Sequence, residues 1–192
     1  MTHSPLRAQH RLRRTARRMQ PDDVAMLLEW MADPTLQEVI EDEDLDEDET
    51  GDKWARVASS DPFRDRQVAF VIEADGRPVG LVHLMWINWI SRTAEIDLFA
   101  APQRPRAGFW VVQKCGEIAF DLLNLHKIYG FVYAGNPRSL DLLARLASVE
   151  VTMSSALARP RGRQDVHIVS IFAHQYRAQM LRIGLDPDGP VA

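Results

Sequence analysis

The sequence predicts a mixed α/β domain in which a central, mostly antiparallel twisted sheet of six to seven strands is flanked by helices. Three observations carry that prediction. The middle of the chain takes on a strand period, with Val68–Glu73 and Val79–Trp89 joined across the turn Ala74-Asp75-Gly76-Arg77. A helix-period segment from Gly108 to Leu125 then runs into the dense apolar strand Lys127–Tyr133, giving a strand–helix–strand unit. Finally, 192 residues, 46% of them hydrophobic, suffice for one buried core and are too few for two full domains.

Taken in order, Arg11–Arg18 reads as an opening strand. Pro21-Asp22-Asp23 starts a helix, because proline is preorganised for the first turn and acids suit the positive end of the dipole. Val24, Leu27, Leu28 and Met31 recur at helical spacing, and Asp33-Pro34 stops the run. A short helix is expected over Thr35–Ile40. The run Glu41 to Glu49 reads as a loop because its like charges repel, and Trp54–Ala58 as one helical turn before Asp61-Pro62. After the hairpin, Thr93–Ala100 is a third strand of the meander. The Gly108–Leu125 helix carries Val111, Val112, Cys115, Ile118, Ala119, Leu122 and Leu123 on one face. Asn136-Pro137 opens a further helix, with asparagine as cap and Leu140, Leu142, Leu143 and Leu146 on its apolar face. Val149–Leu157 and Val166–Phe172 are closing strands around the basic loop Arg159–Arg163, and Ala173–Ile183 is a last helix before a Gly/Pro-rich tail.

Composition narrows the function classes. No apolar stretch approaches the roughly 20 residues of a membrane span; the most apolar, Val79–Ile90, is interrupted by His83 and Asn88. No apolar core precedes a cleavage site, so a cytoplasmic protein without membrane partners is expected. Cys115 is the only cysteine, which excludes a disulfide or a cysteine-based zinc site, and its helical register makes it core filling rather than a nucleophile. No metal site is expected. Arg7, Arg11, Arg13, Arg14, Arg17 and Arg18 crowd the start, while Glu41, Asp42, Glu43, Asp44, Asp46, Glu47, Asp48 and Glu49 form an acidic run. Each is a solvated segment or a binding surface. Trp86, Trp89 and Trp110 are expected as core or cleft walls.

Four stretches, in this order and on these elements, carry a family resemblance. Ala94-Glu95-Ile96-Asp97-Leu98-Phe99 resembles the pantetheine-binding strand of the GNAT acyltransferase superfamily. Pro102-Gln103-Arg104-Pro105-Arg106-Ala107-Gly108 resembles its pyrophosphate loop. Ala119 to Ile128 resembles the helix-to-strand passage of the branch that acetylates the N-termini of ribosomal proteins. Asn136-Pro137-Arg138-Ser139 matches that branch's Asn-x-x-Ser element. Two positions depart from the pattern: Arg106 stands where the loop has its middle glycine, and Ala147-Ser148 replaces a Gly-Phe helix ending. Residues 11–172 are assigned to the domain, 1–10 to a basic extension and 173–192 to a C-terminal helix and tail.

The resemblance implies an acyl-CoA-dependent N-acyltransferase, with acetyl-CoA or another acyl-CoA as cosubstrate and direct attack by an amine in a ternary complex. Leu98, Phe99, Ala100, Gln103, Arg104, Arg106, Ala107, Gly108, Phe109, Asn136 and Ser139 are then expected to hold the coenzyme. Backbone amides from Arg104 to Phe109 would wrap the pyrophosphate at a helix N-terminus. Arg106 either grips phosphate from outside the turn or fills it. Glu95 is the expected base, with Asp97 second on the same strand face. Ser139 is the expected acid for the thiolate, with Tyr133 as the alternative. The oxyanion donor would be a backbone N–H between Asp97 and Ala100. His126 is expected in a structural role. His83 would face the acceptor, a small-molecule or peptide amine, and Glu43 and Asp44 would belong to an acidic rim that attracts cations. Two alternatives stay open: a GNAT-fold transferase with an RNA-linked aminoacyl donor held by the arginines, and a non-catalytic acyl-CoA-binding module. A homodimer also stays open.

Overall fold

The computed structural model describes residues 13–37, 47–144, 146–159 and 162–182. Strand β1, Arg14–Arg18, leads through a 3-10 turn at Pro21–Asp23 into α1, Val24–Met31, and the single-turn α2, Pro34–Gln37. Helix α3 spans Glu47–Ala58. The meander follows as β2, Val68–Ala74, β3, Arg77–Asn88, and β4, Thr93–Ala100. A 3-10 turn at Pro105–Ala107 opens α4, Gly108–Gly116, which widens into a π-helical turn over Glu117–Leu122. Then come β5, Lys127–Tyr133; α5, Pro137–Leu143; β6, Ser148–Arg159; β7, Gly162–Phe172; and α6, Ala173–Arg182.

The seven strands form one sheet in the order β1-β2-β3-β4-β5-β7-β6. Every neighbouring pair is antiparallel except β4–β5, and a parallel pair needs a crossover, which α4 supplies. The β2–β3 hairpin turns on Asp75 and Gly76, both at positive φ (50° and 72°), as a tight hairpin of right-twisted strands requires. Because side chains alternate, the sheet has two cores. Val68, Phe70, Ile72, Val82, Leu84 and Ile96 face Val111, Val112 and Cys115 of α4 and Tyr176 of α6. Ala69, Val71, Leu81 and Phe99 face Leu27 and Trp30 of α1 and Trp54 and Val57 of α3.

Several expectations shift. Glu47-Asp48-Glu49 open α3 instead of lying in a loop, because the N-terminal end of the helix dipole stabilises acids that would otherwise repel. Helix α3 is accordingly longer than the single turn expected over 54–58. Helix α1 stops at Met31, ahead of Asp33-Pro34 as expected, and α2 begins one residue before the expected Thr35: Pro34 occupies a first-turn position, where its missing N–H costs nothing. The expected extension to Ile40 lies outside the described residues. Leu122, assigned to the inner face, is 65% exposed. The π turn, marked by Leu123 N–H donating to the Ile118 carbonyl at 2.9 Å, adds a residue to that turn and rotates Leu122 outward. The closing strands run through the flanks of the basic loop, β6 to Arg159 and β7 from Gly162, and residues 160–161 lie outside the described residues.

Arg17 fastens the first helix to the sheet. It donates bidentately to Asp23 (Nη1 to Oδ2 at 2.7 Å, Nη2 to Oδ1 at 2.8 Å) and through Nε to Glu73 Oε1 at 2.8 Å. Asp23 also accepts from the Gln20 amide at 2.8 Å. The hydrogen bonds from Arg17 hold the Asp23 carboxyl below its ordinary value. Its stabilisation is therefore complete above the ordinary carboxylate range and is lost as pH falls through the lower folded value. Asp23→Asn is expected to cost about 1–2 kcal/mol at pH 7, a melting temperature lower by roughly 2–8 °C. The variant and the parent should begin to converge only as pH falls below the ordinary carboxylate value of about 4 and on through the lower folded one, which thermal melts across pH would check.

Candidate active site

Strands β4 and β5 pair only over Thr93–Glu95 and Lys127–Tyr129. Beyond those residues they diverge. Gly130 sits at the fork, where a Cβ would stand 2.9 Å from the Ile96 carbonyl oxygen, so only glycine lets β5 approach this closely. A slot of ≈ 130 Å³ opens past the fork, lined by Ile96, Leu98 and Ala100 of β4, Gly130 and Val132 of β5, and Gly108 at the head of α4. Main-chain groups of β4 beyond Glu95 lie outside the paired stretch and border this slot, where the oxyanion donor is expected.

The odd-numbered residues of β4 face the other way, into an open cleft of ≈ 780 Å³. Its walls include Glu95, Asp97 and Phe99, His83 and Met85 of β3, Lys53 and Trp54 of α3, Tyr133 of β5, and Met153 and Leu157 of β6. Slot and cleft share Asp97, Phe131, Val132 and Ser139. An elongated thioester in the slot and an amine in the cleft would meet at those four residues.

The electrostatics of the cleft follow from burial. Glu95 is half-buried, and burial, then the neighbouring charge of Asp97, raises its carboxyl above the ordinary range. Such a carboxylate is a better proton acceptor than a solvated one. Burial and then Glu95 raise the Tyr129 phenol as well. His83 is paired in register with Asp97 and is only 4% exposed; burial, then Lys53, lowers its pKa to about 4, so it is neutral at pH 7. The Trp54 indole meets the His83 ring edge-on at 5.2 Å. Among the described residues, His83 Nε2 and Trp54 Nε1 are buried without a hydrogen-bond partner.

Other expected site residues fall as follows. Leu98, Ala100 and Gly108 line the slot, but Phe99 points into the cleft and packs on Trp54 at 5.9 Å. Phe109 packs against the α4-side core. Gln103, Arg104 and Arg106 are exposed, and Ala107 is buried. Arg106 therefore does not fill the turn. Two of the amides expected to wrap the pyrophosphate are already used within the turn: Arg104 N–H donates to Ala101 at 2.8 Å and Ala107 N–H to Arg104 at 2.8 Å. Asn136 lines the cleft rather than the slot and caps α5, its Oδ1 accepting from the Ser139 amide at 3.1 Å. Ser139 borders both cavities, while Tyr133 borders the cleft alone, with the Arg159 guanidinium 5.7 Å over its ring. Glu43 and Asp44 lie outside the described residues.

Three of the early arginines hold the fold together. Arg17 is bonded as above, Arg14 lies 4.7 Å over the Trp110 ring, and Arg18 donates to the Ser60 carbonyl at 2.6 Å. Trp86 is 67% exposed, neither core nor cleft wall, because it occupies a β-bulge of β3 at φ 51° that turns it outward. Cys115 is buried, and its thiol is pushed up to about 12, so it is inert. The sequence reading missed Trp54, Phe131, Met153 and Leu157 as cleft walls. For Phe131 a signal existed: Tyr129, Phe131 and Tyr133 alternate along one face of a strand whose other face is buried. For Trp54 no local signal existed, since its place in the cleft depends on how α3 lies across the sheet.

Residues 13–148 match the family model of the acetyltransferase (GNAT) domain. The spermidine N(1)-acetyltransferase of Vibrio cholerae serotype O1 is 38% identical over 84 residues, 42% of this chain and 49% of that protein. The spermidine N(1)-acetyltransferase of Escherichia coli K12 is 30% identical over 115 residues, 57% of this chain and 61% of that protein. The chain thus spans about half to three fifths of the length of the curated relatives it matches. Among solved structures, spermidine N-acetyltransferase from Vibrio cholerae in complex with CoA and spermine superposes with a TM-score of 0.73 at 25% identity, covering 85% of this chain and 97% of that one. A chimera of the Vibrio cholerae enzyme and hSSAT gives a TM-score of 0.72 at 23% identity over the same shares of the two chains, a likeness of fold. These relatives carry the names of polyamine acetyltransferases, whereas the sequence motifs resemble the ribosomal-protein branch.

Proposed function

The chain belongs to the GNAT acetyltransferase family, and from that premise we propose that it transfers an acetyl group from acetyl-CoA to a primary amine of a small cationic acceptor. Polyamines are the acceptor class the relatives' names favour, ahead of the peptide N-termini of the ribosomal branch. The observation that supports the reading best is the junction of the β4–β5 slot with a cleft bearing two carboxylates, at Asp97, Phe131, Val132 and Ser139.

In this reading the pantetheine arm lies in the slot, between Leu98 and Ala100 on one side and Gly130 and Val132 on the other. Glu95 accepts a proton from the acceptor's ammonium, directly or through water, and frees the nitrogen lone pair. That lone pair attacks the thioester carbonyl carbon, and a β4 main-chain N–H stabilises the oxyanion. The tetrahedral carbon then expels the sulfur: a C–N bond has formed, the C–S bond has broken, the departing thiolate takes the Ser139 hydroxyl proton, and the serine oxygen recovers one from the nitrogen, which sheds its second proton to become a neutral amide. Asp97, beside Glu95 on the same face, orients the amine. The exposed acids Asp48, Glu49 and Asp52 on the first turns of α3 supply a field that draws cations towards the cleft.

Calorimetry with acetyl-CoA and with CoA, followed by thiol-release assays with spermidine and spermine, tests the reading. Binding of both nucleotides and amine-dependent thiol release are expected; no thioester consumption with any amine would overturn it. Ser139→Ala is expected to lower kcat roughly 10–100-fold, less than a full acid–base contribution because a thiolate leaves readily, with acetyl-CoA affinity within about twofold. An unchanged kcat would remove Ser139 from its role and leave solvent as the acid.

A further inference from the structure

Three groups on the α3 side of the acceptor cleft have no task in the transfer described above. Trp54 is 3% exposed, with its Nε1–H unpartnered. His83, against which that indole packs at 5.2 Å, is 4% exposed with Nε2 unpartnered. Lys53, the neighbour of Trp54 on α3, lines the same cleft. A buried polar group without a partner costs about 1–3 kcal/mol, so two of them side by side at the edge of a binding cleft mark the place of a ligand's polar atoms.

The chemistry of these groups says what that atom is. An indole N–H can only donate, and so can a lysine ammonium; a neutral imidazole can do either. A protonated polyamine carries only donors and leaves the Trp54 N–H unpaired. An oxygen with free lone pairs accepts from it and can also face the solvent-exposed Lys53. The carboxylates that receive the amine are close by, since Asp97 stands across the β3–β4 pairing from His83. We infer that Trp54 and His83 are specificity-determining residues which anchor a carbonyl-type oxygen carried by the acceptor beside its reactive amine, so that aminoacyl amines are preferred to plain diamines and polyamines. The inference rests on the acetyltransferase reading and refines its acceptor.

The test uses a matched pair, lysine amide and cadaverine, which is lysine amide without its carboxamide. For the wild-type protein with acetyl-CoA, kcat/KM counted on the free-amine form of each acceptor is expected to be about tenfold higher for lysine amide, the value of one well-made neutral hydrogen bond. Trp54→Phe keeps the ring and removes the N–H; it is expected to bring the two acceptors within about twofold by slowing lysine amide alone. Equal wild-type values, or a Trp54→Phe variant that slows both acceptors alike, would overturn the inference. A measurement independent of the variant's folding is the indole N–H region of a nitrogen-15 spectrum of the wild-type protein, which holds five tryptophans. One indole resonance should shift with lysine amide and stay in place with cadaverine, and a spectrum unmoved by saturating lysine amide would overturn the inference. Thioester consumption with neither acceptor, alongside a shifted indole resonance, would instead count against the transferase reading. A Lys-Gly-Gly peptide in the same assays separates sources: a further gain over lysine amide identifies a peptide N-terminus as the acceptor, and no gain a free aminoacyl compound.

Discussion

Glu95→Gln is expected to lower kcat by roughly 100–1000-fold, within the range for a positioned general base, while leaving acetyl-CoA affinity within about twofold. Glutamine has the same volume as glutamate and keeps the strand register opposite Met85, but it cannot take up a proton. The slot proposed for the coenzyme lies on the opposite side of β4, so binding and chemistry should separate cleanly in this variant. The pH profile gives a second reading. The base works only when ionised, so kcat/KM of the parent protein should fall as pH drops through a value above the ordinary ~4.3 of glutamate, raised by burial and by Asp97. The glutamine variant should lack that acid limb. Asp97→Asn should move it to lower pH, because the neighbouring charge that raises Glu95 is gone. Full activity in Glu95→Gln would transfer the role of base elsewhere.

The largest expected loss of stability lies away from the site. In Gly116→Ala the new methyl would stand 2.0 Å from Cε2 and 2.3 Å from Cζ of Tyr176. That ring is 1% exposed, packs on Phe120 at 5.3 Å, and donates its hydroxyl to the Gln113 carbonyl at 2.7 Å. The rigid aromatic must leave its seat, giving up the hydrogen bond and the contact between α4 and α6. A cost of about 2–4 kcal/mol follows from overpacking and the broken bond, a melting temperature lower by roughly 5–15 °C. Tyr176→Leu makes room, so the double variant should lose less than the sum of the two single changes. Strict additivity in thermal melts would show that the two positions do not meet.

The strands were legible in the sequence because period-two alternation and turn chemistry are local. Asp75-Gly76 announces its hairpin, and Asn136-Pro137 its capped helix, within two residues. Glu95 and Asp97 could be placed on one face of β4 for the same reason. What escaped depends on partners distant along the chain. The acids of α3 read as mutually repelling until a helix dipole is supplied beneath them, and the π turn that rotates Leu122 outward leaves no periodic trace. Trp54 reaches the cleft only because Phe99 and His83 lie under it, some 30–45 positions later in the sequence. Arg106 stood out as a violation of a glycine pattern, but the backbone accommodates it by pointing the side chain to solvent.

The one parallel pairing in the sheet, three residues against three, is also its only join between the meander of β1–β4 and the trio β5–β7. Every other junction is a longer ladder. The protein therefore resembles two half-sheets riveted at a narrow seam, with the slot proposed for the thioester cut directly beside the rivet. A molecule lying there would touch both halves at once and reinforce the weakest join of the ladder, so in the proposed reading occupancy and the mechanical integrity of the sheet should rise and fall together.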